Sequence, residues 1–401
     1  MTMATEASIS GVTTPSEPPG NGLLILLAAM TPEQLESVFA NLTASFPTEE
    51  LLIASPDASL DALPADSYPS LRIVTAPVSD SSWTITAADF VNAYQLAEKH
   101  EARAILMLGS ESSSLGSSAL RELADAVLAN TDLAVPCYEL PPHAGLINSS
   151  VLYPLTRALF ASRVRFPLAV DLGLSFRMAK HLADAAQLFT AINQGETPLW
   201  PVNEATVAEF AIDQFDVGPR IQPAGPDLNT ILPLVVGPLF SDIKAKAAFW
   251  QRFRPLPPAR NAMPMPPAPT TDTAADIAPM LSAFRLAYTN LHEIWSLVLP
   301  PSSLLRLKRL AATDAAAFRI SDRLWARIVY DFLLAYRLRT INRGHLLGAL
   351  IPLYLAWVAS HFNITASGRD PEGHIEAVAV AFEAEKNYML SRWRWPDRFN
   401  P

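Results

Sequence analysis

With 401 residues, half of them hydrophobic and 17% charged, the chain is long enough for about two cores and too apolar for a disordered polymer. Its formal net charge of -9 argues against a surface that tracks phosphates, so no nucleic-acid partner is expected. The single cysteine, Cys137, excludes an intrachain disulfide, a multi-thiolate zinc site and a Cys-x-x-Cys redox pair, and it fits a reducing, cytoplasmic setting.

Residues 1–20 carry Ser, Thr, Pro and Glu without a basic stretch leading into an apolar run, which reads as a disordered tail and not as a secretion signal. The short apolar run 22–29 reads as a strand. Thr31 can then cap a helix that Pro32 starts at its first position. The pattern recurs with strands over 50–55 and 71–75, a helix over 87–100 and a buried strand over 102–108. A serine-rich loop 110–118, a helix to 129 and a strand over 133–136 follow. Strands alternating with helices imply an α/β domain around a mostly parallel sheet, in which ligands bind beyond the carboxyl ends of the strands.

Helical spacing continues over 149–161 and 175–193, with 166–173 between them as an irregular or short β segment, so the first domain is expected over 21–253. Residues 254–273 hold seven prolines and no apolar period, and read as an extended linker. Beyond it, 274–401 reads as all-helical, with helices over 274–299, 302–312, 321–339, 345–362 and 371–393. Ser321 is a good N-cap, and Leu324, Trp325, Ile328, Val329, Phe332 and Leu333 form one stripe behind it. The greasiest run, 346–360, is shorter than the roughly 20 residues a bilayer span needs. It reads as a buried helix, and no transmembrane segment is expected.

Gly-x-Gly-x-x-Gly, the phosphate-binding Lys-Ser/Thr loop and His-Glu-x-x-His are all missing, and the seven histidines never fall at zinc-binding spacing. No serine sits in a Gly-x-Ser-x-Gly elbow. What stands out is positional: the apolar strand Ala104-Ile105-Leu106-Met107-Leu108 runs into Gly109-Ser110-Glu111, leaving one carboxylate at a carboxyl-terminal strand edge. That is a place for a metal or a sugar nucleotide, or simply for a solvated loop acid.

The text Asp132-Leu133-Ala134-Val135-Pro136, then Ile147-Asn148-Ser149-Ser150-Val151-Leu152-Tyr153-Pro154-Leu155, resembles bacterial family-two-like glycosyltransferases related to mannosylglycerate synthase and glucosyl-3-phosphoglycerate synthase. The likeness continues through Arg163-Val164-Arg165-Phe166-Pro167 to Asp171-Leu172-Gly173. It resumes at Leu324-Trp325-Ala326-Arg327, at Pro352-Leu353-Tyr354 and at Phe382-Glu383-Ala384-Glu385. It implies a GT-A fold with a helical C-terminal part, and transfer of a hexose from a nucleotide-diphosphate sugar to a small acceptor. A divalent cation, Mg or Mn, would bridge the departing phosphates.

On that resemblance Gly109, Ser110, Glu111 and Asp57 face the donor, with Glu111 as the only acid of a degenerate Asp-x-Asp left to hold a cation. Asp171 orients or deprotonates the acceptor hydroxyl, and Arg157, Arg163 and Arg165 meet its phosphate or carboxylate. Ala29-Met30-Thr31 stands where the family has Pro-x-x-Asn-Glu, and its later acid and metal-ligating His have only Glu204 and Asp227 nearby. Two readings stay open: a glycosyltransferase, with or without metal, and a catalytically degenerate homologue acting as a binding or regulatory protein. Either leaves a homo-oligomer open.

Overall fold

The structure, a computed structural model, describes residues 22–56, 68–79, 81, 83–191, 194–222, 227–252 and 276–396. The expected tail, the linker 254–273 and Asp57 lie outside the described residues.

Seven strands, β1 (Leu23–Leu27), β2 (Leu51–Pro56), β3 (Leu71–Ala76), β4 (Ala104–Leu108), β5 (Leu133–Glu139), β6 (Leu172–Ser175) and β7 (Ile212–Pro219), form one sheet in the order β3-β2-β1-β4-β6-β5-β7. All run parallel except β6, which lies antiparallel between β4 and β5. The interior strands β1, β2 and β4 are buried at every position, because layers on both faces leave no polar side to alternate toward. Gly173 of β6 is a sterically required glycine: a Cβ there would come within 3.0 Å of the Ala134 side chain and the Leu123 carbonyl.

Helices α1 (Pro32–Ser45), α2 (Ala87–Lys99), α3 (Ser117–Ala129) and α5 (Phe176–Thr190) flank this sheet, α1 packing with α3 and α2 with α5. Helix α4 (Tyr153–Phe160), entered through a π-helical turn at Asn148–Leu152, belongs elsewhere, as described below. The start of α1 is as the sequence predicts. Thr31 Oγ1 accepts from the Gln34 N–H at 3.3 Å, Gln34 Oε1 accepts from the Thr31 N–H at 2.9 Å, and Pro32 opens the helix.

After α6 (Pro201–Val207) and β7 come α7 (Leu228–Ala245) and α8 (Ala247–Trp250), two helices the sequence reading does not anticipate. The remaining helices are α9 (Ala278–Asn290), α10 (His292–Val298), α11 (Pro301–Ala311), α12 (Asp322–Leu338), α13 (Arg343–Ala366), α14 (Pro371–Ala384) and α15 (Lys386–Arg394). The single helices expected over 274–299 and 371–393 are each broken, at Leu291 and Glu385, into two.

The apolar side chains fall into two main cores, and the second does not begin at the linker. Leu155 and Phe160 of α4, Leu232 and Phe240 of α7 and Trp250 of α8 pack in one cluster with Trp325, Trp357 and Phe382 of the C-terminal helices. Trp325, fully buried, donates its indole N–H to the Ser150 carbonyl at 2.8 Å, so the two parts of the chain are hydrogen-bonded as well as packed. Helix α13 is long and apolar enough to cross a membrane, yet 67% of its most apolar window is buried inside this core.

On that helix His361 is completely buried and stacks on Trp357. Its Nδ1 lies 2.7 Å from Nδ1 of His374 on α14, whose Nε2 in turn meets Asp322 Oδ1 at 3.1 Å. Burial, then the neighbouring charges of His374, His143 and Arg165, depress the His361 pKa to about 3 from 6.5. The unfolded chain therefore binds this proton more readily than the folded one. The His361 contribution is complete above about pH 6.5 and is lost as pH falls toward about 3. Urea unfolding across that interval should show stability falling with acidity, with a shallower slope in His361→Gln.

Candidate functional site

Strand β4 delivers Gly109-Ser110-Glu111 to the carboxyl edge of the sheet, where a 3-10 turn at Ser112–Ser114 follows. Ser110 is buried and Glu111 half-buried. Glu111 Oε2 accepts a hydrogen bond from Gln34 Nε2 at 3.0 Å, so the same amide that closes the α1 capping box ties this carboxylate down. A Mg or Mn ion needs several oxygen ligands, and Glu111 is the only carboxylate that Gly109-Ser110-Glu111 supplies. Among the described residues no group of three or more His, Cys, Asp or Glu side chains is placed to hold a metal.

The two distant acids considered as replacements are occupied as well. Glu204 accepts from Lys246 Nζ at 2.7 Å, and Asp227 caps α7 by accepting from the Asn229 and Thr230 N–H groups at 2.8 and 3.2 Å.

Asp171, expected to meet the acceptor hydroxyl, lies just before β6 with no exposed surface. Its Oδ1 accepts from the Gly109 N–H at 2.9 Å and from Arg220 Nη2 at 3.2 Å; its Oδ2 accepts from the Tyr138 hydroxyl at 2.9 Å and from Arg220 Nε at 2.9 Å. These donors fill the about four lone-pair sites of a carboxylate. Through these bonds Asp171 ties the end of β4 to Tyr138 of β5 and to Arg220. Burial works against the Arg220 charge, but Asp171 outweighs it and holds that guanidinium protonated. Burial, with the Asp171 charge beside it, likewise keeps the Tyr138 phenol well above its ordinary pKa.

Arg220 escapes the sequence reading because β7, which presents it, is a half-exposed edge strand with no clean alternation. The only local signal is an arginine directly after Gly218-Pro219.

Two of the three arginines expected to bind an anionic acceptor form ion pairs within the chain. Arg157, 4% exposed, donates to Glu383 at 2.9 Å and to Glu376 at 2.5 Å. Arg165, also buried, donates to Glu372 Oε1 and Oε2 at 3.2 Å and to Ser149 Oγ at 2.9 Å. Glu372, Glu376 and Glu383 all belong to α14, so these cations pin that helix against α4 and the loop after it. Arg163 is exposed and contributes only a weak charge effect on Glu376.

Two hollows adjoin the strand edge. A crevice of about 50 Å³ lies among the ends of β1 and β4, the loop after β3 and the first turns of α2, with Leu27, Ser79, Asp89 and Gly109 in its wall. A cavity of about 520 Å³ lies between the sheet edge and the helical core, walled by Tyr138, Phe166, Ile231, Tyr354, Val358 and Phe362 among others. Val170 lines both. The larger hollow falls within the usual range for small-molecule sites, whereas the smaller offers room for only a few waters. Tyr354, which the sequence reading leaves as a core aromatic, turns out to be part of that wall.

No protein-family model matches the chain, and no curated protein matches it in sequence. Among solved structures it is similar to glucosyl-3-phosphoglycerate synthase from Mycobacterium tuberculosis. With Mn2+, uridine diphosphate and glucosyl-3-phosphoglycerate bound, that enzyme is 17% identical, at a TM-score of 0.37, over 55% of this chain and 79% of that one. The same enzyme with Mg2+ and uridine diphosphate is 18% identical, at a TM-score of 0.39, over 55% and 78%. A further mycobacterial protein is 16% identical, at a TM-score of 0.36, over 55% and 74%.

The network around Asp171 makes a direct prediction. Removing one charge of a buried pair strands the other, at a typical cost of about 3–5 kcal/mol. Asp171→Asn and Arg220→Met should each lower unfolding free energy in urea by that order, and the double variant should lose less than the sum of the two.

Proposed function

We propose that this chain is a glycosyltransferase-like protein that binds a small molecule in the 520 Å³ cavity and has lost the machinery for moving a hexose. The observation that carries this reading is that Glu111, Asp171, Arg157 and Arg165, which the resemblance assigns to chemistry, are each bonded to other residues of the chain. Glu111 accepts from Gln34, Asp171 accepts from Arg220, Tyr138 and Gly109, and Arg157 and Arg165 donate to glutamates of α14. Fold is a weaker guide to activity than the site it carries.

One observation favours the transferase reading. Val170 forms a wall of both hollows, so a donor in the crevice and an acceptor in the cavity would sit side by side, as direct transfer requires. Calorimetric titration with uridine- and guanosine-diphosphate sugars, with and without manganese, separates the two. We expect no saturable heat and no release of nucleoside diphosphate. Saturable binding that needs manganese and is lost in Glu111→Ala, with diphosphate released, would overturn the proposal in favour of a working transferase.

A further inference from the structure

The 520 Å³ cavity also selects by charge. Among the residues in its wall Arg220 is the only Asp, Glu, Lys or Arg, and its side chain is 1% exposed, 2.9 Å from Asp171. Much of the wall is apolar or aromatic, with Leu146, Val235 and Met280 beside the rings of Trp83, Phe166 and Phe362. The polar side chains of His143 and Gln222 are exposed. A charged ligand would give up water here for a surface that offers it little in return. A flat uncharged body would bury its area against rings and branched chains.

Helix α13 contributes Tyr354, Leu355, Val358 and Phe362, which share one face of the helix. The two phenols of the wall differ. Tyr138 donates to Asp171 at 2.9 Å. Tyr354 is 6% exposed and has no hydrogen-bond partner among the described residues, yet its hydroxyl is not one of the polar atoms sealed from solvent. Of the hollows among the described residues, this cavity is the one that Tyr354 lines, so the access its hydroxyl keeps opens into the cavity. Burial raises its pKa above that of an ordinary phenol, so the group stays a neutral donor. A largely withdrawn hydroxyl without a partner gains from an acceptor that reaches it.

We propose that the cavity takes an uncharged aromatic molecule with a carbonyl acceptor, its rings against Phe166, Met280 and Phe362 and its carbonyl oxygen accepting from the Tyr354 hydroxyl. The inference rests on reading the cavity as the ligand site, and it names the ligand class.

The test uses the full chain and four probes: benzophenone, 1,1-diphenylethylene, 4-benzoylbenzoate and phosphoglycerate. Benzophenone should bind saturably in calorimetry, 4-benzoylbenzoate about 10-fold more weakly, and phosphoglycerate should neither bind nor displace the ketone. Irradiated in the complex, benzophenone should label the peptides that carry Met280 and residues 354–362. Tyr354→Phe keeps the ring and removes the donor. It should weaken benzophenone about 5-fold and leave 1,1-diphenylethylene, which has the same shape and no acceptor, unchanged.

No saturable binding of benzophenone, labelling confined to other peptides, displacement by phosphoglycerate, or an unchanged benzophenone affinity in Tyr354→Phe would each overturn the proposal. Tighter binding of 4-benzoylbenzoate, with label on the same peptides, would overturn the ligand class and leave the cavity standing as the ligand site. The ketone-to-acid ratio and the labelled peptides are read on the unmodified protein, so they decide even if the variant fails to fold. No nucleotide sugar enters these titrations, so their failure is separate from the outcome of the donor experiment.

Discussion

The ion pair between Asp171 and Arg220, withdrawn from water at the carboxyl end of the sheet, is the constraint around which the rest is arranged. Taking two charges out of solvent is costly, and their attraction offsets that cost only when every remaining donor and lone pair is answered. Here the answers come from four separate strand ends: Gly109 after β4, Tyr138 in β5, Asp171 before β6 and Arg220 after β7. Ser114 Oγ, 3.4 Å from Arg220 Nη1, draws in the serine-rich loop. These bonds join the strand ends along one side of the cavity.

A second set of charges does for the helical part what this pair does for the sheet. Glu372, Glu376 and Glu383 present one acidic face of α14 to Arg165 and Arg157, with Tyr153 and Ser149 completing the bonds. Burial alone would favour uncharged arginine, and at Arg157 the two glutamates outweigh that tendency and hold its pKa above the ordinary value. A guanidinium fork suited to a phosphate is equally suited to a carboxylate of the same chain.

Much of the fold was legible because the strands β1, β2 and β4 are unbroken apolar runs and their helices carry local signals such as Thr31-Pro32 and Ser321. What escaped has local reasons too. Strand β7 is half exposed and does not alternate cleanly, and α7 contains Pro233 and Pro238, residues that normally end a helix. The breaks at Leu291 and Glu385 interrupt segments whose apolar spacing runs straight through.

The candidate site was less legible, for a different reason. Asp171 and Arg157 have the right residue types at matching places, but their roles are set by Arg220, 49 residues away, and Glu383, 226 away. Residue type and motif position say what a side chain can do. Only the non-local partner says what it is left free to do, and no spacing rule reports that partner.

The shared second core has a consequence for how this protein can be divided. Helices α4, α7 and α8 precede the proline-rich stretch, yet their apolar faces are covered by helices that follow it. Severing the chain anywhere between Trp250 and Ala278 would therefore give two fragments that remain associated, each serving as solvent for the other's greasy surface. Neither could be produced alone without that surface facing water. For the same reason an exchange of the C-terminal portion with that of another protein would have to carry α4, α7 and α8 along with it.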